Sequence, residues 1–477
     1  MARSNHKQYD MTIIGGGSGG LTAARVGASL GANVLLIDKE KLGGDCLHYG
    51  CVPSKSLIHV ARIVHQAREV AALGLTSTPV EIDMARVSAY IQGVIARVGE
   101  AERVYVKDVT VMFGEVTFKS STELLLNGET FTSRNTIIAT GSRPAVPQIT
   151  GLVETGYFTN NDLFDLEHLP TSLIVLGGGP IGAEMSQAFA RLGTQVTVLQ
   201  RAKSILPKED SDAAATLTQV LTAEGISLVT EATVLKVERH GTKKAVTFKH
   251  GETQRTIEAD EILVALGREP NVVGLNLEAA NVTYDSKGIT VDEHLQTSTQ
   301  NILAIGDVIG GYLFTHVASY QAGIAVRNAL VPISKKKVDY RVVPWCTFTQ
   351  PEVARVGLTQ EEAEKQHKDI RVESFPFAEV DRAQAENETV GFIKLILAGK
   401  KEEIVGAHIV GASAGELLGE ITLAMQHNMT VNDIYNTIHA YPTMVTGIQQ
   451  TAFEAYLKSE AAASNRKIVR TLLNFRG

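Results

Sequence analysis

Tyr9-Asp10-Met11-Thr12-Ile13-Ile14-Gly15-Gly16-Gly17-Ser18-Gly19-Gly20 decides the fold of this chain. An apolar run that stops in a cluster of glycines predicts a buried strand, Tyr9 to Ile14, feeding a tight turn. Leu21 to Leu30 then has the spacing of a helix, and Val34 to Ile37 that of a second strand ending at Asp38. This βαβ setting separates a working G-x-G-x-x-G from a chance match. Gly15 permits the turn, Gly17 lets backbone approach a pyrophosphate, and Gly20 lets helix and strand pack closely. A phosphate is expected on the helix N-terminus, where unpaired N–H groups and the helix dipole favour an anion.

The unit is repeated. Leu173 to Leu199 carries Gly177, Gly179 and Gly182 in the same three places, so two dinucleotides are expected. The residue that follows the second strand separates them: Asp38 in the first copy, Gln200 in the second, at equal spacing from the first glycine. A carboxylate there accepts a hydrogen bond from a ribose 2′-OH and repels a 2′-phosphate, which suits FAD or NAD. Gln200 carries no charge, and Arg201 and Lys203 bring cations to where a 2′-phosphate would lie. NADPH is therefore expected on the second copy, with NADH as the alternative.

Shortly after the first copy comes Gly43-Gly44-Asp45-Cys46-Leu47-His48-Tyr49-Gly50-Cys51-Val52-Pro53-Ser54-Lys55. Two thiols held against a nucleotide-borne redox cofactor can cycle between dithiol and disulfide. A continuous helix would separate residues five apart by about 7.5 Å along its axis. That is too far for easy bridging, so an irregular turn is expected there, with Gly50 allowing it. A thiolate near a helix N-terminus has a lowered pKa, and the thiolate is the attacking form. The plainer reading, two buried thiols without chemistry, is outweighed by the flanking glycines and the adjacent nucleotide motif.

Composition bounds the rest. A chain of 477 residues exceeds one hydrophobic core, and at about 150 residues per domain it holds roughly three. With 44% hydrophobic and 20% charged residues, one Trp and 42 Gly, it is a turn-rich globular α/β protein. A net charge of −7 speaks against a nucleic-acid or membrane surface. The polar stretch Met1 to Asp10 resembles neither a signal peptide nor a membrane span, so a cytoplasmic location is expected. Three cysteines make no disulfide framework, and the close pair lacks His or Cys neighbours at zinc spacing; no metal site is expected.

Between the repeats, Ser56 to Leu73 and Met84 to Val104 read as helices. Val109 to Ile138 reads as a small β-meander closing on Ala139-Thr140-Gly141-Ser142-Arg143-Pro144, an expected crossing between domains. A second β-rich stretch, Ile226 to Ala265, ends at Leu266-Gly267-Arg268-Glu269-Pro270. Ile302-Leu303-Ala304-Ile305-Gly306-Asp307 reads as a short strand that delivers a carboxylate toward a cofactor hydroxyl, a role compatible with Asp307 capping a helix. From Tyr340 the pattern changes to a mixed α+β segment without another glycine fingerprint.

Taken in this order, the two fingerprints, the Gly-Gly-x-Cys-x4-Cys-Val-Pro-Ser-Lys block and Gly306-Asp307 resemble the FAD-dependent pyridine nucleotide–disulfide oxidoreductases, over essentially the whole chain. The resemblance implies an α/β fold of two Rossmann-like dinucleotide-binding domains, for FAD and NAD(P), plus a C-terminal α+β domain that makes a homodimer. The corresponding boundaries are 1–152 and 276–340 for the FAD-binding parts, 153–275 for the NAD(P)-binding domain and 341–477 for dimerisation. Cofactor contacts are expected at the first fingerprint, Asp38, Lys39, Gly44, Gly141 and Asp307, and, with the second fingerprint, at Gln200, Arg201 and Gly267. The resemblance also implies roles. Cys51 lies against the flavin as a charge-transfer thiolate, and Cys46 is the outer thiol that exchanges with substrate. Lys55 and Glu184 match an ion pair beside the flavin atom that receives hydride, where a cation stabilises developing negative charge.

The C-terminal segment departs from the pattern. Disulfide reductases of this family supply a His-Pro-Thr with a Glu five residues after the His, from the other subunit, to shuttle a proton to the outgoing thiol. Here Tyr441 occupies the His position and Thr446 that of the Glu. His439 is two residues away and is read as packing rather than as a substitute. Tyr441-Pro442-Thr443-Met444-Val445-Thr446-Gly447 is similar instead to mercuric reductases, whose metal substrate suits a thiolate pair and needs no imidazole. Those enzymes also use a C-terminal cysteine pair, whereas this sequence ends Leu472-Leu473-Asn474-Phe475-Arg476-Gly477; Cys346 reads as packing. The expected activity is hydride transfer from NADPH through FAD to the dithiol, then to a small-molecule or metal-ion acceptor. The alternatives are a dihydrolipoamide dehydrogenase-like or other disulfide reductase, and a flavin–dithiol redox sensor without fast turnover.

Overall fold

The computed structural model describes residues 8–76, 80–331 and 333–475. The chain divides into two compact units: Met1–Pro170 with Glu261–Asp339, and Thr171–Asp260 with Tyr340–Gly477.

The first unit is organised by the strand Gln8–Ile14. It pairs in parallel with Val34–Asp38 on one side and with Glu129–Ile138 on the other. Thr110–Phe113 and Ile302–Ala304 extend the parallel set. Alternate residues pack on opposite faces, as a strand period of two requires. Met11, Ile13, Leu36, Ile137 and Leu303 belong to one core; Ile14, Leu35, Ile37, Ile138 and Ile302 belong to the other. Burying each such side chain contributes about 1.5–3 kcal/mol. The helices Ser18–Ser29 and Thr315–Leu330 pack on each other.

Three local readings change. Thr110–Phe113 joins the parallel sheet, so the meander is confined to Val116–Phe118, Glu123–Leu126 and Glu129–Ile138. Side-chain alternation reports which face is buried, not which strand is the hydrogen-bond partner. The helix read from Ser56 begins at Cys51 and ends in the 3-10 turn Val70–Leu73; Pro53 is tolerated in a first turn, where its missing N–H has no intrahelical partner. The Ala139–Pro144 stretch stays inside the first unit, where Ser142–Pro144 pairs antiparallel with Arg268–Pro270.

The second unit holds the repeat. Ser172–Leu176, Gln195–Leu199 and Ser227–Val229 pair in parallel, and Ala232–His240, Lys243–His250 and Thr253–Ala259 form an antiparallel ribbon. Its C-terminal part is a five-stranded sheet in the order Pro344–Thr347, Glu352–Gly357, Glu403–Gly411, Phe392–Ala398, Ile370–Pro376. The helices Ala414–Gln426 and Thr446–Lys458 cover it, with Ile393, Leu395, Ile409, Leu418, Ile421 and Ile448 in the shared core.

Candidate active site

Backbone crowding defines the first glycine loop. Gly15 has φ +106°, and a Cβ there would lie 2.3 Å from the Ala139 carbonyl oxygen. A Cβ on Gly20 would lie 1.8 Å from the Gly15 oxygen, and one on Gly44 2.7 Å from Gly17 Cα. Strand, helix and cysteine block therefore meet through bare backbone. Asp38 Oδ2 accepts the Gly16 N–H at 2.7 Å, and Oδ1 accepts those of Glu40 and Lys41 at 3.0 and 3.1 Å. Lys39 points outward and pairs with Glu115 at 2.8 Å, which raises the lysine's pKa and lowers the glutamate's.

The sulfur pair sits on a broken helix, as the spacing required. Cys46 lies in the short helix Gly44–His48, the chain breaks at Tyr49-Gly50, and Cys51 opens the helix Cys51–Glu69. A Cβ on Gly50 would come within 3.0 Å of the Asp45 carbonyl oxygen and 3.2 Å of Cys46 Cα, so the return path is tight enough to favour glycine. Asn160 Nδ2 donates to the Tyr49 carbonyl at 2.9 Å and holds the break. All three cysteines are thiols. The Cys46 thiol is pushed well above its ordinary range, first by its hydrogen bond to Cys51 and then by burial. Cys51 lies at a helix N-terminus with its Sγ 3.7 Å from Thr315 Oγ1. Lys55 follows one helical turn along from Cys51.

Asp307 lies in the 3-10 turn Gly306–Ile309 directly after the strand Ile302–Ala304. Ser142 Oγ donates to Asp307 Oδ2 at 2.6 Å, and Arg268 Nε donates to Ser142 Oγ at 2.7 Å. The same guanidinium is 3.7 Å from Asp307 and 3.2 Å from Asp45, the neighbour of Cys46. Burial raises the Asp307 carboxyl, opposed by Ser142 and Arg268. Beside this network Gly141 and Gly267, with φ +68° and +119°, have nothing within 4 Å of a built Cβ.

The second loop repeats the crowding. Gly177 has φ +108°, and a Cβ on Gly182 would lie 1.9 Å from its oxygen. Gly179 opens the helix Pro180–Leu192 without a side-chain cap, and a Cβ there would meet nothing within 4 Å. Gln200 Oε1 accepts the Gly178 N–H at 3.3 Å and its Nε2 donates to the Ser204 carbonyl at 3.1 Å. Arg201 and Lys203 are exposed. Glu184 is buried on that helix, and its Oε1 accepts the Phe348 N–H at 2.8 Å. Lys55 belongs to the first unit and Glu184 to the second.

In the C-terminal sheet domain Tyr441 is 73% exposed, and its hydroxyl donates to Asp381 Oδ2 at 2.8 Å. That carboxylate raises the phenol's pKa. His439 has Nε2 2.8 Å from Glu420 Oε1 and Nδ1 2.9 Å from the Thr437 carbonyl oxygen. Thr446 Oγ1 donates to the Thr443 carbonyl at 2.7 Å. Cys346 Sγ lies 3.5 Å from the Thr347 carbonyl and 3.9 Å from Glu352 Oε2, packed against the sheet's core.

Residues 9–322 match the family described as pyridine nucleotide-disulphide oxidoreductase, and residues 343–452 match the dimerisation domain of the same family. The chain belongs to this family. It is 36% identical over 448 residues to a mercuric reductase of Staphylococcus aureus, covering 93% of this chain and 82% of the relative. It is equally 36% identical over 465 residues to a dihydrolipoyl dehydrogenase of Thermus scotoductus, covering 96% and 100%. Among solved structures, the Cu(II) complex of RclA, an HOCl-induced flavoprotein disulfide reductase from Escherichia coli, superposes with a TM-score of 0.84 at 28% identity over 94% of this chain and 99% of that one. The expected α/β fold and enzymatic class stand: this is a flavoprotein oxidoreductase of an FAD- and NAD(P)H-dependent family.

The residues present fit those cofactors. Both loop helices begin at a glycine without a side-chain cap, leaving first-turn N–H groups for phosphate oxygens. Glu102 Oε2, beside Gly43, is buried without a hydrogen-bond partner, and burial raises its pKa. It is an acceptor suited to a hydroxyl. Sequence reasoning missed Ser142, Arg268, Thr315 and Asp381. Ser142 and Arg268 directly follow Gly141 and Gly267, but only the pairing of their strands brings them together. No local pattern links Asp381 to Tyr441, sixty residues on.

Proposed function

We propose that this oxidoreductase carries reducing equivalents from NADPH, by way of FAD, to the Cys46–Cys51 pair and on to a soft metal ion, in the manner of mercuric reductases. In this reading it works in the cytoplasm as a homodimer, with residues 1–152 and 276–340 holding FAD, 153–275 NADPH, and 341–477 the dimer contact. FAD, when bound, supplies a ring that accepts a hydride and passes two electrons to sulfur. NADPH releases a hydride, two electrons and one proton. A disulfide takes the two electrons and two protons, the second from solvent; Hg(II) takes the two electrons to become Hg(0).

The chain's own groups support the role. Cys51 opens the helix Cys51–Glu69, and a helix N-terminus favours a thiolate; Cys46, in the short helix before it, is the outer sulfur. Lys55 then supplies the cation and Glu184 its partner near the flavin, while Gln200 and Arg201 accept the 2′-phosphate. The observation that carries the metal-ion reading is Tyr441. At the position where the disulfide reductases place an imidazole stands a phenol, its hydroxyl committed to Asp381 and its pKa raised. A metal ion held between thiolates requires no proton to leave. The Cu(II) complex of RclA shows that a structural neighbour takes a metal ion.

A second reading, reduction of a disulfide or oxidation of dihydrolipoamide, is favoured by a different observation. His439 and Glu420 form an imidazole–carboxylate pair at 2.8 Å, two residues from Tyr441. Such a pair can hold and return a proton. Anaerobic NADPH titration, followed by a panel of Hg(II), lipoamide and glutathione disulfide, separates the readings. The expected result is a long-wavelength absorbance that is lost in Cys51→Ser, and NADPH consumption with Hg(II) well above the oxygen rate and unaffected by His439→Gln. Turnover of lipoamide alone, abolished by His439→Gln, transfers the assignment to the second reading. No consumption above the oxygen rate with any acceptor leaves a redox sensor.

A further inference from the structure

The C-terminal helix Glu460–Asn474 lies beyond the family's dimerisation match, which ends at residue 452. Its start is well anchored. Ser459 caps it by accepting the Ala462 N–H at 3.1 Å, Ala462 is buried, and Arg466 donates to the Leu457 carbonyl at 2.8 Å. Past that anchor its apolar side chains face outward: Ile468 is 57% exposed, Val469 53%, Leu472 57% and Leu473 62%, and Phe475, at the C-cap, is 84% exposed. At 100° per residue these five cover an arc of about 160°. Arg466, Lys467 and Arg470 fill the opposite arc, and no Asp or Glu follows Glu460. Isolated exposed apolar residues need no explanation, but a contiguous apolar face on one helix does.

We infer that this helix docks the enzyme on a lipid bilayer surface bearing anionic headgroups. It would lie in the interface plane, with Ile468, Val469, Leu472, Leu473 and Phe475 in the acyl boundary and Arg466, Lys467 and Arg470 among the phosphates. Two features select a bilayer over a second helix. The apolar arc is broader than the narrow seam by which two helices pair. Its cationic flank, on a chain whose net charge is −7, complements a sheet of negative headgroups, the charge pattern of helices that rest on membranes. Among the described residues no helix is long and apolar enough to cross a membrane, so the contact is peripheral. The net charge that pointed away from a membrane averages over a locally basic end.

Co-sedimentation of the full-length FAD-loaded protein with phosphatidylcholine vesicles, with and without phosphatidylglycerol, tests this. Binding is expected only with phosphatidylglycerol, weakening as salt rises. At about fivefold per cation near the surface, Lys467→Gln with Arg470→Gln lowers the partition coefficient about 25-fold, and Leu472→Asp with Leu473→Asp abolishes binding. Flavin content and NADPH oxidation stay unchanged in both variants. The inference is overturned if the holoenzyme ignores the anionic vesicles or if the variants bind as well as the parent. It is equally overturned if Leu472→Asp with Leu473→Asp instead halves the mass in solution, which would assign the face to a second copy.

Discussion

Gly16 donates its N–H to the Asp38 carboxylate at 2.7 Å, and Gly178, its counterpart in the second loop, donates to the Gln200 amide oxygen at 3.3 Å. Both loops open with a glycine of φ above +100°, both put a third glycine against the oxygen of the first, and both leave a helix N-terminus uncapped. Both turns thus place a side-chain acceptor at this position, a carboxylate in one and an amide at a longer distance in the other. Asp38 turns its other oxygen to the Glu40 and Lys41 N–H groups, whereas Gln200 has a donor as well, spent on Ser204. One loop is negative at its rim and the other neutral with two exposed cations beside it.

The strongest way to break the parallel is to fill the third glycine. Contacts of 1.8 Å at Gly20 and 1.9 Å at Gly182 are far inside van der Waals distance and involve backbone, which cannot step aside. Gly20→Ala is expected to yield protein without bound flavin, read as loss of visible absorbance per chain. Gly182→Ala is expected to keep its flavin yet fail to be reduced by NADPH, while dithionite still bleaches it. If Gly182→Ala also emerged colourless, the two loops could not be treated as separate binding devices.

Exchanging the acceptors sharpens the comparison at smaller cost to the fold. A hydrogen bond to a charged group contributes about 1.5–3 kcal/mol against about 0.5–1.5 for a neutral one. Asp38→Asn should accordingly weaken FAD binding by about tenfold, roughly 1.4 kcal/mol, measured by flavin release under dilution. Gln200→Asp places a carboxylate against a 2′-phosphate and should lower the ratio of kcat/KM for NADPH over NADH by about a hundredfold, through repulsion and loss of a neutral partner. Because both substitutions preserve an acceptor for the glycine N–H, the melting temperature should hardly move. An unchanged coenzyme ratio in Gln200→Asp would separate the rim residue from the ligand choice.

The loops were legible because their demands are local. A strand, a glycine turn and a helix occur within thirty residues, and the third glycine of each loop answers a contact with backbone five positions before it, Gly20 with Gly15 and Gly182 with Gly177. The break between Cys46 and Cys51 was legible for the same reason: helix geometry forbids the alternative. What escaped was built from distant pieces. Arg268 joins Asp45 to Asp307 only because the strand Arg268–Pro270 returns beside Ser142–Pro144. Thr110–Phe113 carries the same alternation whether it joins a meander or a parallel sheet, so periodicity could not choose. His439 was read as packing, and its side chain is indeed largely covered, yet both ring nitrogens face oxygen atoms. The pattern reported burial and was silent about the partner. The amphipathic face of the final helix was present in the sequence from the outset, hidden by judging charge over the whole chain.

The smallest expected effects fall on the residues directly after the two acceptors, and they test whether position alone makes a contact. Lys39 follows Asp38 and Arg201 follows Gln200; both are exposed cations at equivalent places. Lys39 reaches away to Glu115 in a fully solvated pair, where screening and side-chain entropy leave little net stabilisation. Lys39→Ala should therefore leave both melting temperature and flavin retention unchanged. Arg201→Ala should raise the KM for NADPH severalfold and leave that for NADH alone, since only the former presents a phosphate to a guanidinium. Equal responses of the two coenzymes would mean that Arg201, like Lys39, is a solvated neighbour. The preference would then rest on Gln200 alone, on the absence of a charge rather than the presence of one.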